Sequence, residues 1–395
     1  MRRDLASLFM TSLVAAATAG AGEAPSVPRI DAPELARLGS RAVGVTTLEF
    51  VDASRADRRL EVDLWYPAAG ATGGVPVTYE GSLTAEPPAP PTRFTRPGIA
   101  VRDAVRSAGP FPLVVISHGY DNESVLFSWL TENLASKGYV VAAIRHRDPP
   151  IIDRARFPEA VRNRPQDVAF AATALQRSLG EGQLVDPART ALVGYSMGGY
   201  GVLSVAGAAR NDAWGVAGLK ALVALAPAGA GFAGWGDDGL AAITVPMLFI
   251  SGDRDLTVDY RSGARAFFDQ ATGSNRYLLT FRGGGHRIGL GPAPDAMRTR
   301  LWDLDWFEDT VWSAERIVGI NLHFITAFLD RYVKDDASRT AYLDGLVPES
   351  SAGEWPSGAA GDYAAYSPGT DGITVWQGFQ RGHAEGLELL HATPR

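Results

Sequence analysis

Nine residues constrain this chain more than any others: Leu192-Val193-Gly194-Tyr195-Ser196-Met197-Gly198-Gly199-Tyr200. An apolar run with strand character, residues 190–193, leads into them. A run of small, helix-compatible residues, 200–209, leads out. A strand that bends sharply into a helix leaves no room for side chains beside the bend, and Gly194 and Gly198 flank Ser196 at the two crowded positions. The spacing Gly194-x-Ser196-x-Gly198 in this setting is expected to lift the Ser196 hydroxyl clear of the backbone, as a candidate nucleophile. The amide of Met197, first in the helix, then points to where an oxyanion would form.

The rest of the chain reads as strands alternating with helices. Val43 to Phe50 and the period-two segment Leu60, Val62, Leu64, Tyr66 predict a hairpin around a polar turn, the second strand half-buried. Residues 67–110 hold many prolines and glycines and read as a long irregular coat. Aliphatic runs at 113–117, 139–144, 190–193, 221–226, 247–251 and 277–281 predict strands buried on both faces. Helical spacing marks 124–137, 166–179, 258–271 and 314–333. Residues 145–164 carry six arginines and read as a solvated loop. The tail from Ala337 is rich in Gly, Ser and Pro, apart from residues 373–379, which suit an edge strand or a surface clamp. The pattern predicts an α/β class fold: a doubly wound, mostly parallel sheet of about eight strands with an N-terminal antiparallel hairpin.

Gly-Tyr-Ser196-Met-Gly-Gly, His118-Gly119-Tyr120 upstream and Gly285-His286 downstream together resemble the α/β-hydrolase superfamily. Within it the chain is similar to the esterase group of dienelactone hydrolases and platelet-activating-factor acetylhydrolase-like lipases, over residues 42–333. The resemblance implies a serine hydrolase of carboxylic esters that needs no cofactor. In this superfamily the acid and then the histidine follow the serine in the chain. His286 lies beyond the last strand, after a glycine-rich exit that lets the loop curl back, and is the expected base. Asp253, Asp255 and Asp259 follow the preceding strand, and the family pattern Gly-x-x-Asp places the acid at Asp255. The unused aspartates would cap the next helix. By the same resemblance the Tyr120 amide is the second oxyanion donor, His118 holds its loop, and Tyr120 lines the acyl pocket as an aromatic does in cutinase-like polyester hydrolases. Asp121-Asn122 depart from the glycine many relatives carry there. Trp302 and Trp306, in a tryptophan-rich stretch after His286, are candidate substrate contacts on a rim or small cap, with core packing as the alternative.

Composition excludes several other classes. A net charge of −7 and a pI near 5.5 argue against nucleic-acid binding. These residues include no cysteine, so disulfides and thiol chemistry are ruled out. No His-Glu-x-x-His, other close histidine pair or EF-hand spacing points to a metal. Arg2, Arg3, the uncharged apolar run 5–19 and small residues up to Ala21 predict a secretory signal, too short for a membrane span, and hence a secreted or periplasmic protein. Asp4 departs from that pattern, and a loosely packed N-terminal helix is the alternative. The expected layout is a signal at 1–21, a lead-in at 22–41, the hydrolase domain at 42–336, and a tail at 337–395 packed on it. The expected partner is a small or lipid-like ester. A polyester or an amide would suit the same residues, as would acyl transfer to an alcohol. A non-catalytic binding protein of the same fold is the remaining reading, and a serine-directed fluorophosphonate would fail to label it.

Overall fold

The computed structural model describes residues 33–70, 73–84, 90–299, 306–356, 372–379 and 384–395. The predicted signal lies outside them. Strands β1 (Ala42–Asp52) and β2 (Arg58–Ala68) form the predicted hairpin, closed by a turn in which Ala56 and Asp57 take positive φ. Two further strands follow, β3 (Pro76–Leu83) and β4 (Thr92–Arg102). The core strands are β5 (Phe111–Ser117), β6 (Val140–Arg145), β7 (Val185–Tyr195), β8 (Leu219–Leu225), β9 (Met247–Gly252) and β10 (Arg276–Phe281), and β11 (Leu387–Ala392) comes last. Among the described residues these eleven strands make one sheet, ordered β11-β10-β9-β8-β7-β5-β6-β2-β1-β4-β3. Strands β5 to β10 pair in parallel, and the hairpins and β11 add antiparallel edges.

The sheet is covered on both faces, as a run of parallel strands requires. Helices α1 (Ser128–Ser136) and α5 (Ala314–Val333) lie on one face, where Leu130, Leu134, Phe324 and Phe328 meet Val114, Val193 and Leu248. Helices α2 (Phe157–Glu181), α3 (Met197–Leu203) and α4 (Ala266–Gln270) cover the other, where Val168, Leu175, Val202 and Phe267 meet Leu113, Leu192 and Leu222. Alternate residues of each core strand therefore serve opposite cores.

The structure corrects four readings. The sheet has eleven strands rather than about eight, because the Pro-rich coat contains β3 and β4 and the tail contains β11. Pro76 opens the edge strand β3. Pro97 lies in β4 beyond its short pairing with β1, which involves only Gly44 and Val45, and stands opposite Thr78 of β3, next to a register shift between Pro76 and Thr78. Buried Glu132 of α1 pins the hairpin by accepting from Tyr79 Oη (2.7 Å) and the Ile99 and Ala100 amides (2.8 and 3.0 Å). The second correction concerns β2, which is covered on both faces from Val62 onward because it lies inside the sheet, where α1 packs on one face and α2 on the other. Its Asp63 is buried and accepts from Arg145, Thr47 and Ser124. Third, α2 begins at Phe157, so the end of the arginine-rich stretch is helical, and Arg164 is fully buried rather than solvated. Fourth, residues 373–379 are a buried, non-strand segment in which Trp376 and Phe379 pack on Phe324.

Candidate active site

Ser196, Asp255 and His286 each follow the C-terminal end of a parallel strand: β7, β9 and β10. Widely separated chain positions thus converge on one edge of the sheet, the usual place for a site in open α/β sheets. Ser196 takes φ 53° and ψ −116°, a conformation that a side-chain-bearing residue holds only under constraint. The constraint is steric. A Cβ on Gly194 would come within 2.3 Å of the Gly198 carbonyl oxygen, and one on Gly198 within 1.9 Å of the Ser117 oxygen. The bend fits only because both are glycine.

His286 Nε2 lies 3.0 Å from Ser196 Oγ, and its Nδ1 lies 2.7 Å from Asp255 Oδ2. The other Asp255 oxygen accepts from the Thr257 and Val258 amides, both at 2.8 Å, so the buried carboxylate is fixed in orientation. With Nδ1 donating to the carboxylate, Nε2 is left to accept from the serine hydroxyl. The two loops touch. A Cβ on Gly252 would meet the Gly284 oxygen at 2.1 Å, and the Arg254 amide donates to that same oxygen. Of the other aspartates considered, Asp253 accepts from the Gly283 amide, and Asp259 caps a turn through the Ser262 amide and hydroxyl.

Several residues shape this geometry that sequence reasoning did not single out. Asp309 accepts from Gly285 N at 2.7 Å and from the Val311 and Trp312 amides, tying the histidine loop to the stretch after it. Asn321 of α5 donates to the Ile288 carbonyl. Tyr195 lies under the imidazole with ring centroids 5.1 Å apart, and its hydroxyl donates to the His286 carbonyl. Burial, and then the Asp255 charge, push that phenol far above its ordinary pKa, so it stays a donor. The spacing Tyr195-Ser196 was visible in the sequence; the long-range partners gave no local signal.

Tyr120 follows Gly119, where a Cβ would lie 3.5 Å from Ser196 Cβ. Among the described residues nothing accepts a hydrogen bond from the backbone N–H of Tyr120 or of Met197. Tyr120 also borders a narrow cleft of ≈ 60 Å³ with Leu83, Thr92, Leu290, Trp306 and Phe307. One wall is the tip of the β3–β4 hairpin, which bonds to the Tyr120 loop through Thr84 Oγ1 and Asp121. Trp306 is half exposed on this cleft, Trp312 is buried against Phe281, and Trp302 lies outside the described residues. The described tryptophans of this stretch therefore divide between rim and core. On its other side Tyr120 begins a row of edge-on rings, Tyr120–Phe157–Phe232, with centroid spacings of 5.5 Å, which continues to Tyr200 and Trp235. A larger cleft of ≈ 600 Å³ lies against the hairpin, lined by Glu80, Arg93, Glu123 and Asp295, and none of the three converging residues lines either cleft.

A family model described as PETase, PET hydrolase-like, matches residues 101–308, just over half of the chain. The chain belongs to the PET hydrolase-like family. Like other members of this α/β-hydrolase family it is a carboxylic ester hydrolase. It is 30% identical over 254 residues to Cutinase 1 of Thermobifida cellulosilytica, an alignment spanning 62% of this chain and 79% of that protein. It is equally similar to a cutinase of Thermobifida fusca strain YX, over 62% of this chain and 68% of the relative. A ferulic acid esterase structure from Streptomyces cinnamoneus superposes with a TM-score of 0.55 at 24% identity, over 77% of this chain and 94% of that one, which supports the fold. No helix among the described residues is long and apolar enough to cross a membrane.

Proposed function

We propose that this ester hydrolase works through Ser196, His286 and Asp255 in two acyl-transfer steps. The observation carrying the proposal is the continuous hydrogen-bonded chain Ser196–His286–Asp255, at 3.0 and 2.7 Å, on a strained turn. Ser196 Oγ attacks the ester carbonyl carbon as its proton passes to His286 Nε2. Asp255 holds the imidazole in the required tautomer and stabilises the imidazolium. The carbonyl π pair moves to oxygen, and the resulting oxyanion accepts from the Tyr120 and Met197 amides. Collapse expels the alcohol, which takes the proton from Nε2 and leaves an acyl-serine. Water then repeats the sequence, giving up a proton to Nε2, and the carboxylic acid departs as Ser196 recovers its hydrogen. No step requires a metal or cofactor.

The cleft beside Tyr120, walled by the hairpin tip and Trp306, suits a short acyl group. Trp306 and Tyr120 would contact it. The half-exposed row Tyr120–Phe157–Phe232 favours a second reading, in which an extended or polymeric ester lies across the mouth as the relatives' name cutinase suggests. A screen of p-nitrophenyl esters of graded acyl length beside a polyester film separates the two. Preference for acetate and propionate with no film hydrolysis selects the first, and release of soluble monomers selects the second. Ser196→Ala should abolish turnover of every ester in the screen, and retained turnover with an unchanged pH profile would reject the nucleophile. We further propose that residues 1–21 export the chain, with 42–336 as the catalytic unit and the tail packed on it. Protein recovered outside the cytoplasm should then begin at Gly22 on N-terminal sequencing, and an intact Met1 there would sink the signal assignment.

A further inference from the structure

A buried guanidinium stands directly behind the loop that carries Tyr120. Arg164, on α2, has a fully buried side chain. Its Nη1 donates to the His118 carbonyl and, at 3.4 Å, to Ser117 Oγ. Its Nη2 donates to the Gly119 carbonyl at 3.5 Å and to the buried Asp148 carboxylate. Asp148 in turn accepts from the Asp121 amide at 3.4 Å, so both sides of the turn are tied to one ion pair. Space for the side chain comes from Gly201 on α3, where a Cβ would lie 2.8 Å from Arg164 Cγ.

A second donor reaches the same peptide. The His146 amide donates to His118 Nε2 at 3.1 Å, so that nitrogen carries no proton. In the neutral ring the proton therefore sits on Nδ1, which donates to the Gly119 carbonyl at 2.7 Å. Burial, then the neighbouring His146 and Arg164, hold His118 well below the ordinary histidine range, which keeps the ring in this form.

The consequence is geometric. In a trans peptide unit the C=O of one residue and the N–H of the next point in opposite directions. Whatever draws the Gly119 carbonyl into the protein turns the Tyr120 N–H outward, toward the side where Ser196 stands. We propose that Arg164 is a positioning residue for the oxyanion hole: by gripping the His118 and Gly119 carbonyls, its planar fork aims the Tyr120 N–H at the oxygen of the reacting carbonyl. A lysine could replace the charge but not the two-armed grip. The inference rests on the proposed roles of Ser196 and of the Tyr120 amide.

The test is Arg164→Lys, with Asp148→Asn as a second variant that keeps the guanidinium and loosens its anchor. Each is assayed for kcat and KM on a p-nitrophenyl ester, for thermal melting, and for inhibition by a trifluoromethyl ketone. That ketone accepts Ser196 Oγ at its carbonyl carbon and places the resulting oxyanion in the hole, while the serine proton passes to His286. Arg164→Lys should lower kcat by up to about 10²-fold, approaching the loss of a whole donor, with KM changed less than about threefold. The inhibition constant should rise in proportion to the fall in kcat/KM, and Asp148→Asn should show the same pattern more weakly. Folded Arg164→Lys enzyme with wild-type kcat, or with raised KM and unchanged ketone affinity, overturns the inference. If Arg164→Lys does not fold, unchanged kcat in folded Asp148→Asn overturns it instead. Ser196→Ala in the same assay separates the two readings: if that variant remains active, the functional proposal fails first.

Discussion

At the scale of single residues, the site depends on which atoms are left free to act. Asp255 is saturated, with one oxygen on His286 and the other on two amides, so it can orient the ring but is poorly placed to do anything else. Asp255→Asn keeps the shape but lets an amide N–H face Nδ1, which moves the imidazole proton to Nε2 and denies Ser196 its acceptor. We expect kcat to fall by about 10⁴-fold with little change in melting temperature, by analogy with the same change in a Ser-His-Asp protease. A stopped assay on p-nitrophenyl acetate reads the first quantity and calorimetry the second; near-normal turnover would mean that the carboxylate has no part in the reaction. Gly194, Ser196 and Gly198 were legible in the sequence because they stand together in one short spacing, although the clash that forbids a side chain at Gly198 is with Ser117 of β5. Arg164 was not. It stands in a stretch dense with arginines, and what distinguishes it from the exposed Arg154 or Arg156 is the burial supplied by α3 and the Tyr120 loop.

The decisive element is the β3–β4 hairpin, which widens the sheet and gives the cleft a wall. Its attachment to α1 runs through Glu132, whose carboxyl is pushed up by burial although Tyr79 and two amides donate to it. Glu132→Ala would leave those three donors without their acceptor. Each such group costs about 1–3 kcal/mol when it stays buried, so we expect a clear drop in the urea midpoint, and a smaller one for Tyr79→Phe. An unchanged midpoint would show that the hairpin is held by strand pairing alone. Because Leu83 and Thr92 line the cleft, the same variant should also alter the ratio of activities on short and long acyl esters. The hairpin was invisible in the sequence because proline content argued for a coat, whereas its location at the sheet edge tolerates prolines and a register shift between Pro76 and Thr78.

Across the molecule as a whole, three histidines other than His286 are buried in neutral form among the described residues. Burial first, and then nearby cations, hold His146 down to about 4 and His323 down to about 3, with His118 also well below the usual range. In the unfolded chain each would titrate near its ordinary value of about 6.5. Between that value and the folded one the unfolded state binds more protons, so folding stability falls as pH falls. Their contribution is fully present above the ordinary value and is lost progressively toward pH 4. Urea midpoints at pH 7, 5 and 4 should decline, with a shallower decline in His323→Gln; a flat profile would mean these rings are not held neutral. The tail takes part in the same whole. Strand β11 pairs along β10, and Trp376 packs on Phe324 of α5, so the end of the chain completes the core that supports the His286 loop.

What the sequence alone determined is whatever a few neighbouring residues can enforce. It settled the glycine-flanked turn at Ser196, the buried aliphatic strands and the helical spacing of α5, while the order of serine, aspartate and histidine came from the resemblance to the α/β-hydrolases. The tertiary structure alone decided which strands a Pro-rich segment could join, where the tail would pair, and which of many arginines and aspartates would be enclosed. Periodicity and short spacings are written in adjacent residues, while burial and hydrogen-bond partnership are set by segments far away in the chain. Arg164, Asp309 and Glu132 gained their places only when those segments met.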